Sequence, residues 1–286
     1  MTAATRSAVV LTGAGSGIGR ATAELLLRRG HAVLGGAISD AEAGSLREEL
    51  RAAFTPFVVD VRDPASVTAA AARIEARLDG RPLRALLNIA GVITNGPLVD
   101  LEPEVFSDVL AVNLVGMHAM TRALVPLLRA GDAPRVVNMS SASGSRTLPF
   151  TGAYSASKFG VEALSSAMRM EFAPLGVRVV VVAPGLINTP MAGKIRRDLA
   201  EPPSLDVYRE PLRRFLAGTE KSVAGGVPLE RVVETIAGAV EAEEPKPRYE
   251  LHQSVLRDVV LLRLLPARQR EAIARRMLAL GDGPPR

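Results

Sequence analysis

The sequence predicts an α/β fold: a doubly wound parallel sheet of about seven strands, with helices on both faces and a C-terminal helical extension. Short runs that are apolar throughout alternate with stretches of helical periodicity, as in parallel sheets buried on both faces. A glycine cluster also stands between the first apolar run and the first helical stretch. The 286 residues are 48 % apolar, which is enough for a sizeable core.

Each strand is predicted from an apolar, often β-branched run bounded by turn residues. Six such runs cover residues 7–12, 31–37, 55–60, 83–89, 135–140 and 177–183. The short segment PRYEL, at residues 247–251, is a candidate seventh strand.

Helical periodicity fills the intervals between these runs. Predicted helices cover residues 17–29, 40–53, 64–78, 102–130, 153–172 and 227–242, and two more follow, divided by Pro266. Asp40 is placed as the N-cap of the second helix, and Pro64 opens the third at the first helical position. Pro126 is expected to bend the 102–130 helix near its end.

The pattern predicts one domain over residues 1–250, with residues 251–286 as a helical extension of it. Residues 188–225 break the alternation, because they are rich in Pro, Gly and charge, with an amphipathic piece at 207–216. A loop of this length in a compact domain is typically a lid or a binding loop. Residues 188–226 are therefore assigned to ligand binding.

Composition excludes several classes of protein. The absence of cysteine excludes disulfides and thiolate chemistry and favours a cytoplasmic location. Neither a signal peptide nor a membrane-spanning segment is expected. The net charge of +5 resides in residues 245–286, which carry nine Lys or Arg against four Asp or Glu, so the main body offers no cationic surface to nucleic acid. The three histidines lack metal-ligand spacing, and no metal is expected.

The glycine cluster has the arrangement that holds a pyrophosphate: a strand, then T-G-x-x-x-G-x-G, then a helix. Gly13 would make the tight turn, Gly17 would let the backbone approach the phosphates, and Gly19 would let the helix pack on the strand. The free N–H groups and the dipole at the helix N-terminus would face the anion. A glycine-rich turn without a ligand is the alternative.

A second motif, YSASKFG, places Tyr154 and Lys158 on one face of a helix. An ammonium beside a phenol favours the phenolate and lowers a tyrosine pKa that is ordinarily about 10. Tyr154 is therefore a candidate general acid/base for an alcohol or ketone. Ser141 lies thirteen residues before Tyr154 and directly after a predicted strand. It is a candidate hydrogen-bond partner of the substrate oxygen. A helix-surface pair is the alternative.

Over roughly residues 7–250, these motifs together resemble the short-chain dehydrogenase/reductases, which have a Rossmann-type fold. The resemblance rests on their common order: the glycine loop, a strand ending in Asp60, NIAG at 88–91, Asn113 in VNLVG, Ser141, Tyr154, Lys158 and PGLINTP at 184–190. It implies an NAD(P)-dependent oxidoreductase that interconverts a secondary alcohol and a ketone. Ile89 stands where the family usually has Asn, which is expected to cost only local hydrogen bonding.

The resemblance also implies a role for each matching residue. Tyr154 would transfer the proton, Lys158 would hold the nicotinamide ribose, and Ser141 would orient the substrate oxygen. Asn113 would anchor a water that links Lys158 to solvent. The implied cofactor contacts are Gly13, Ser16, Gly17, Ile18, Gly19, Ile38, Asp60, Val61, Ala90, Gly91, Tyr154, Lys158, Pro184, Gly185, Ile187 and Thr189. Structural alternatives stay open: a helix kink at Asn113, an N-cap at Asp60 and a turn at Thr189.

Both usual determinants of the nucleotide are missing. Ala37 stands where an Asp would favour NAD, while Ile38 and Ser16 stand where basic residues would favour NADP. Because a 2′-phosphate would lack a compensating cation, NAD is favoured over NADP. Arg20 is the residue that could reverse this. The segments YSASKFGVEALSSAM, APGLINTPM and PKPRYEL carry a narrower resemblance, to the retinol, hydroxysteroid and 3-hydroxybutyrate dehydrogenase branch, which also favours NAD.

The expected substrate is an apolar alcohol or ketone of steroid, retinoid or polyketide type. The predicted pocket consists of Ser143, Leu148, Phe150, Leu186 and Met191, together with Leu205, Tyr208, Leu212, Phe215 and Leu216 from the long loop. Alternatively, these loop residues only pack a lid onto the body.

The basic, amphipathic tail could lie on an anionic membrane surface, cover a neighbouring subunit's pocket or pack on its own domain.

The resemblance implies a homodimer or homotetramer formed through the helices at 102–130 and 153–173. Two other functions stay open as alternatives. A redox sensor or scaffold that binds a dinucleotide without turnover would not need the Asn-Ser-Tyr-Lys set. Epimerases and dehydratases of this fold usually have a different glycine spacing.

Overall fold

The structure, a computed structural model, describes residues 7–50, 54–188, 190–199, 202–252 and 265–281. Seven parallel strands form one sheet in the order β3-β2-β1-β4-β5-β6-β7. They are β1 Ala8–Leu11, β2 Ala32–Ala37, β3 Phe54–Val58, β4 Leu83–Asn88, β5 Arg135–Met139, β6 Arg178–Pro184 and β7 Arg248–Leu251. The predicted doubly wound parallel sheet is confirmed, and PRYEL supplies its seventh strand.

The α-helices of the described residues lie between and after these strands. They are α1 Gly17–Arg28, α2 Asp40–Leu50, α3 Pro64–Leu78, α4 Pro103–Leu110, α5 Met117–Arg129, α6 Gly152–Glu171, α7 Pro190–Asp198, α8 Arg209–Ala224, α9 Leu229–Glu241 and α10 Ala267–Leu278. Helices α1, α2 and α9 pack on one face of the sheet, where Leu26 and Ile236 are fully buried. Helices α3, α5 and α6 pack on the other face, where Ile74 and Leu124 are fully buried.

The predicted helix over residues 102–130 is interrupted. Between α4 and α5 the chain forms a π-helical segment, Ala111–Gly116, and Pro126 lies inside α5. Among the described residues, only the stretch Pro103–Arg129 is long and apolar enough to cross a membrane. Here α5 packs on the sheet, where Met120, Leu124 and Leu128 are fully buried, as in a core helix of a globular protein.

Two local predictions need correction. The predicted loop at 188–225 consists largely of helices α7 and α8, because its apolar residues pack at helical spacing despite the Pro, Gly and charge between them. At the start of α2 the N-cap is Ser39 rather than Asp40. The Ser39 hydroxyl accepts a hydrogen bond from the Glu42 amide at 3.2 Å, and the Ser39 carbonyl accepts the first helical bond.

Candidate active site

The candidate site lies at the carboxyl ends of β1, β4, β5 and β6. The chain leaves β1 toward β2 on one side of the sheet, and β4 pairs with β1 on the other side. This reversal of strand order opens a crevice at the strand ends, which is where ligands bind in open α/β sheets.

The glycine loop between β1 and α1 has no side chain at Gly13, Gly15 or Gly17. Gly13 has a φ of +73°, and a Cβ there would lie 2.9 Å from the Ala90 Cα atom. A Cβ at Gly19 would collide with the Gly13 carbonyl oxygen, so α1 can approach the strand only because this residue is glycine. Gly17 also has a positive φ of 53° and begins α1. The loop therefore fits the pyrophosphate of a dinucleotide at a helix N-terminus.

Thr12, at the end of β1, fastens the glycine loop to the loop after β4. Its Oγ1 accepts hydrogen bonds from the amides of Ile89 and Ala90, each at 3.1 Å. Because Ile89 contributes its backbone to this contact, the departure from the family's usual Asn leaves the contact intact. Sequence reasoning had not singled out Thr12, although its place directly before Gly13 is visible in the sequence.

Ser141, Tyr154 and Lys158 come together beside this crevice. Ser141 follows β5 and caps a short 3₁₀ turn, where its Oγ accepts from the Ser143 amide at 3.1 Å. Its hydroxyl also lies within reach of the Tyr154 phenol, where a hydrogen bond to the phenol oxygen would favour the phenolate. The Lys158 Nζ lies 5.6 Å from the centre of the Tyr154 ring and donates to the Met139 carbonyl at 2.9 Å.

Burial governs both titratable groups. It raises the pKa of Tyr154, and the hydrogen bond with Ser141 opposes that rise only in part. Burial also lowers the pKa of Lys158 from 10.5 to about 8, with Glu162 acting in the opposite direction. The net lowering of the Tyr154 pKa expected from the sequence is therefore not seen, because the removal of the phenol from water outweighs the influences that favour the phenolate.

Asn113 lies in the π segment and is buried. Its Oδ1 accepts from the Val92 amide at 2.8 Å, and its Nδ2 donates to the Val92 carbonyl and to the Ser157 Oγ, each at 2.9 Å. A Cβ at Gly91 would lie 3.2 Å from the Asn113 Oδ1 and 3.8 Å from the Lys158 Nζ. Asn113 thus binds the loop after β4 to α6 and lies next to Lys158. The π turn distorts the helix at this residue, as the structural alternative expected, and the water contact implied for Asn113 stays a prediction.

Asp60 follows β3 but caps no helix, because Asp63 caps α3 by accepting from the Ala65 amide at 2.9 Å. Arg62 donates to both Asp60 carboxylate oxygens and holds the pKa of that carboxyl below its usual range. Asp60 therefore stays ionised, and the adenine contact implied for it stays a prediction.

The other implied cofactor contacts lie along the same edge of the sheet. Ile18, Gly91, Pro184, Gly185 and Ile187 line one continuous cleft with Tyr154 and Lys158. Val61 is buried and Ile38 is 60 % exposed. Thr189 lies outside the described residues.

Arg20, the residue that could compensate a 2′-phosphate, is engaged elsewhere. Its guanidinium contacts Glu24 and Glu49, each at 2.7 Å. Two carboxylates hold this side chain along α1 and toward α2, so it would have to leave both in order to reach a nucleotide.

The cleft next to Tyr154 has a volume of about 480 Å³. Ser143, Leu148, Leu186, Met191 and Phe215 line it, as expected. The other predicted pocket residues do not line it. Phe150 is buried and packs edge-on against Tyr208 and Phe215, and Leu212 is buried as well. Leu205 is exposed, and Leu216 lines a neighbouring depression.

Several lining residues were missed by sequence reasoning. The C-terminal helix α10 packs on α8 and contributes Ala274, Met277 and Leu278 to the cleft. Of the three placements considered for the tail, its described helix therefore packs on its own domain. Asn95 and His252 also line the cleft and are buried. The amphipathic pattern of α10 indicates that one face of this helix packs on another surface. The pattern does not identify that surface, so the contribution to the cleft could not be predicted.

Comparison with known proteins agrees with this geometry. The short chain dehydrogenase family model matches residues 7–200. A ketoreductase-type protein of Streptomyces virginiae, described as a ketoacyl reductase of the monensin polyketide synthase, is 37 % identical and is matched over 79 % of this chain and 90 % of its own length. An NADPH-dependent 3-dehydrocapnine reductase of Ornithobacterium rhinotracheale is 31 % identical, with 92 % of this chain and 94 % of that protein covered.

A crystal structure of a short-chain dehydrogenase from Streptomyces avermitilis superposes with a TM-score of 0.78 at 25 % identity, covering 98 % of this chain and 100 % of that one. The chain therefore belongs to the short-chain dehydrogenase family and is an NAD(P)-dependent oxidoreductase acting on CH–OH groups.

Proposed function

We propose that this enzyme interconverts a secondary alcohol and a ketone on an apolar substrate, uses NAD, and employs Tyr154 as its general acid/base. The observation that carries the proposal is that Ser141, Tyr154 and Lys158 lie together on one cleft, which reaches Ile18 at the start of α1 after the glycine loop. A protein that only senses a dinucleotide has no need of a phenol held in this way.

The chain's own residues would handle the proton and the substrate oxygen. A bound nicotinamide supplies hydride exchange with the substrate carbon. Tyr154, neutral because burial raises its pKa, would donate its proton to the carbonyl oxygen in reduction and accept it from the alcohol in oxidation. Ser141 would bind the same oxygen and fix its position.

Lys158 would serve Tyr154 as a nearby charge. Its ammonium lies close to the phenol ring, and the positive charge would stabilise the phenolate that forms as the proton leaves. Asn113 positions the loop of Val92 beside Lys158, through two backbone hydrogen bonds. A water between Asn113 and Lys158, as the family resemblance implies, would complete the path of the proton to solvent.

Two features support NAD over NADP. Arg20 is held by two carboxylates, and Arg62 is held by Asp60 and Asp108. Each of these two candidate cations for a 2′-phosphate is thus already paired with carboxylates. One relative is described as NADPH-dependent, so the proposal of NAD for this chain rests on the residues of its own site.

The cleft lining supports an apolar substrate. Ile93, Leu148, Leu186, Met191 and Phe215 present hydrocarbon to it. Burial of apolar substrate surface against these residues would contribute about 25 cal/mol per Å² to binding. A small polar ketone would gain little from this lining, so a steroid-, retinoid- or polyketide-like molecule suits it better.

The test is a fluorescence titration with NADH and, separately, with NADPH, followed by turnover on a panel of apolar ketones and alcohols. We expect NADH to bind more tightly than NADPH. Tyr154→Phe should keep nucleotide binding within about threefold and lower turnover by roughly 10²- to 10⁴-fold, the usual contribution of a general acid/base.

Tyr208→Phe is the matched control, because Tyr208 packs on Phe150 outside the cleft. It should leave turnover unchanged. Nucleotide binding without turnover on any substrate in the panel would favour the redox-sensor function, and binding of neither nucleotide would contradict the proposal.

We also propose association into a homodimer or homotetramer through α4 and α6. Val105, Val115, Phe159 and Met170 are large apolar residues on these helices and the π segment that remain exposed in the single chain. Such a surface is typical of a protein interface. Light scattering should give two or four times the chain mass of 30.2 kDa, whereas a monomeric mass would contradict the proposal.

A further inference from the structure

The carboxylate of Glu42 lies against the glycine loop. Glu42 is in the first turn of α2, and its side chain is half-buried. One carboxylate oxygen, Oε2, accepts a hydrogen bond from the Ile38 amide at 2.7 Å. The other, Oε1, occupies the space that a Cβ on Gly15 would need. The carboxylate therefore stands between the end of β2 and the loop after β1.

Part of this arrangement is ordinary helix capping. Ser39 accepts from the Glu42 amide while Glu42 reaches back to the preceding turn, as in a capping box, where the acid usually bonds to the N-cap amide. Capping does not require contact with the glycine loop, however. The absence of a side chain at Gly15 gives the carboxylate its place beside that loop.

The position is significant because the adenosine ribose of a dinucleotide lies between the glycine loop and the end of the second strand. An acidic residue there accepts hydrogen bonds from the ribose hydroxyls and disfavours a 2′-phosphate. The strand itself supplies only Ala37 at this point. Glu42 brings a carboxylate to the same neighbourhood from the following helix.

We propose that Glu42 sets the nucleotide preference of this enzyme: its carboxylate accepts from the adenosine ribose and excludes the 2′-phosphate of NADP. The inference rests on the proposed function, since it requires a bound dinucleotide. Two effects act together. The negative charges of carboxylate and phosphate repel each other, and the Ile38 amide that a phosphate could use as a donor is already bonded to Glu42.

The test compares the dissociation constants of NADH and NADPH, measured by fluorescence titration, for the wild type and for Glu42→Gln. Glutamine keeps the size of the side chain and an oxygen that can accept from Ile38, but it removes the charge. We expect NADPH binding to strengthen about tenfold or more, since the repulsion involves a phosphate of nearly two charges at short range. NADH binding should weaken only slightly.

Glu48→Gln is the matched control. Glu48 is exposed on the same helix, so its replacement removes one charge without changing the contact with the loop. The ratio of the two dissociation constants should stay within twofold of the wild type. Thermal unfolding of each variant, followed by circular dichroism, separates loss of the helix cap from loss of nucleotide selection.

Four results would overturn the inference. The ratio could be the same in Glu42→Gln and wild type, or it could move equally in Glu48→Gln, which would indicate a general charge effect. The wild type could bind NADPH more tightly than NADH. Finally, a wild type that binds neither nucleotide would remove the proposed function and this inference with it, whereas the first two results leave the proposed function standing.

Discussion

Replacement of Lys158 by methionine is expected to change the pH dependence of stability as well as activity. Lys158 is buried, and burial lowers its pKa from 10.5 to about 8. In the unfolded chain the ammonium would keep its ordinary pKa. Between these two values the unfolded state binds more protons than the folded state, so the stability of the wild type rises with pH across this window.

The magnitude follows from the two pKa values. One pKa unit corresponds to about 1.4 kcal/mol, so the full effect is roughly 3 kcal/mol. Below pH 8 the folded wild type carries the whole cost of a buried ammonium. By pH 9.5 about 2 kcal/mol of that cost should be relieved. The methionine variant has no such group and lacks this contribution.

The assay is urea denaturation of the wild type and Lys158→Met at several values between pH 7 and pH 10. The quantity of interest is the change with pH in the difference between their free energies of unfolding. This comparison cancels most other titrating groups, and the lost hydrogen bond to the Met139 carbonyl enters as a nearly constant offset.

Lys221→Met is the control, because Lys221 is exposed on α8 and should show a flat difference. A flat difference for Lys158→Met would refute the reasoning, since it would mean that the ammonium is hydrated in the folded protein. The expected loss of turnover in this variant does not depend on that outcome.

Two further predictions use matched pairs. Gly13→Ala should lower the free energy of unfolding by more than 2 kcal/mol and abolish nucleotide binding. Gly80→Ala, at the same φ of +73° but in open space, should lower it by only about 1 kcal/mol. Equal losses in chemical denaturation would contradict a close backbone approach at Gly13. Met277→Ala should raise KM for bulky apolar substrates several-fold, because a contact in the cleft is lost. Met170→Ala, which is equally exposed at 70 %, should leave KM unchanged. An unchanged KM for both variants in steady-state kinetics would show that α10 does not contact the substrate.

The sequence predicted those parts of the molecule that depend on local pattern. Helix α3 begins and ends where expected, because Pro64 fixes its start and an αL residue, Asp79, follows its end. The positive φ at Gly13 and the close helix approach at Gly19 also agree with the predicted form of the glycine loop, while its contact with a pyrophosphate stays a prediction. The resemblance identified Ser141, Tyr154 and Lys158, which the fold then brings together.

Features that depend on tertiary environment could not be read from the sequence. The pKa of Tyr154 follows burial, which the i, i+4 spacing with Lys158 does not reveal. Thr12 bonds to a loop nearly eighty residues away. The contact of Glu42 with Gly15 likewise joins two segments that have no local pattern in common.

The π segment between α4 and α5 constrains the length of the chain in that region. Each residue advances an α-helix by about 100°. Helix α4 packs against α6, whereas α5 packs against α3 and β4, so the two halves of one helical rod serve different neighbours. Removal of a single residue from the π segment would turn the packing face of one helix away from its partner. The additional residue of the π turn is therefore required by the packing of α4 and α5, although helix propensity does not predict it.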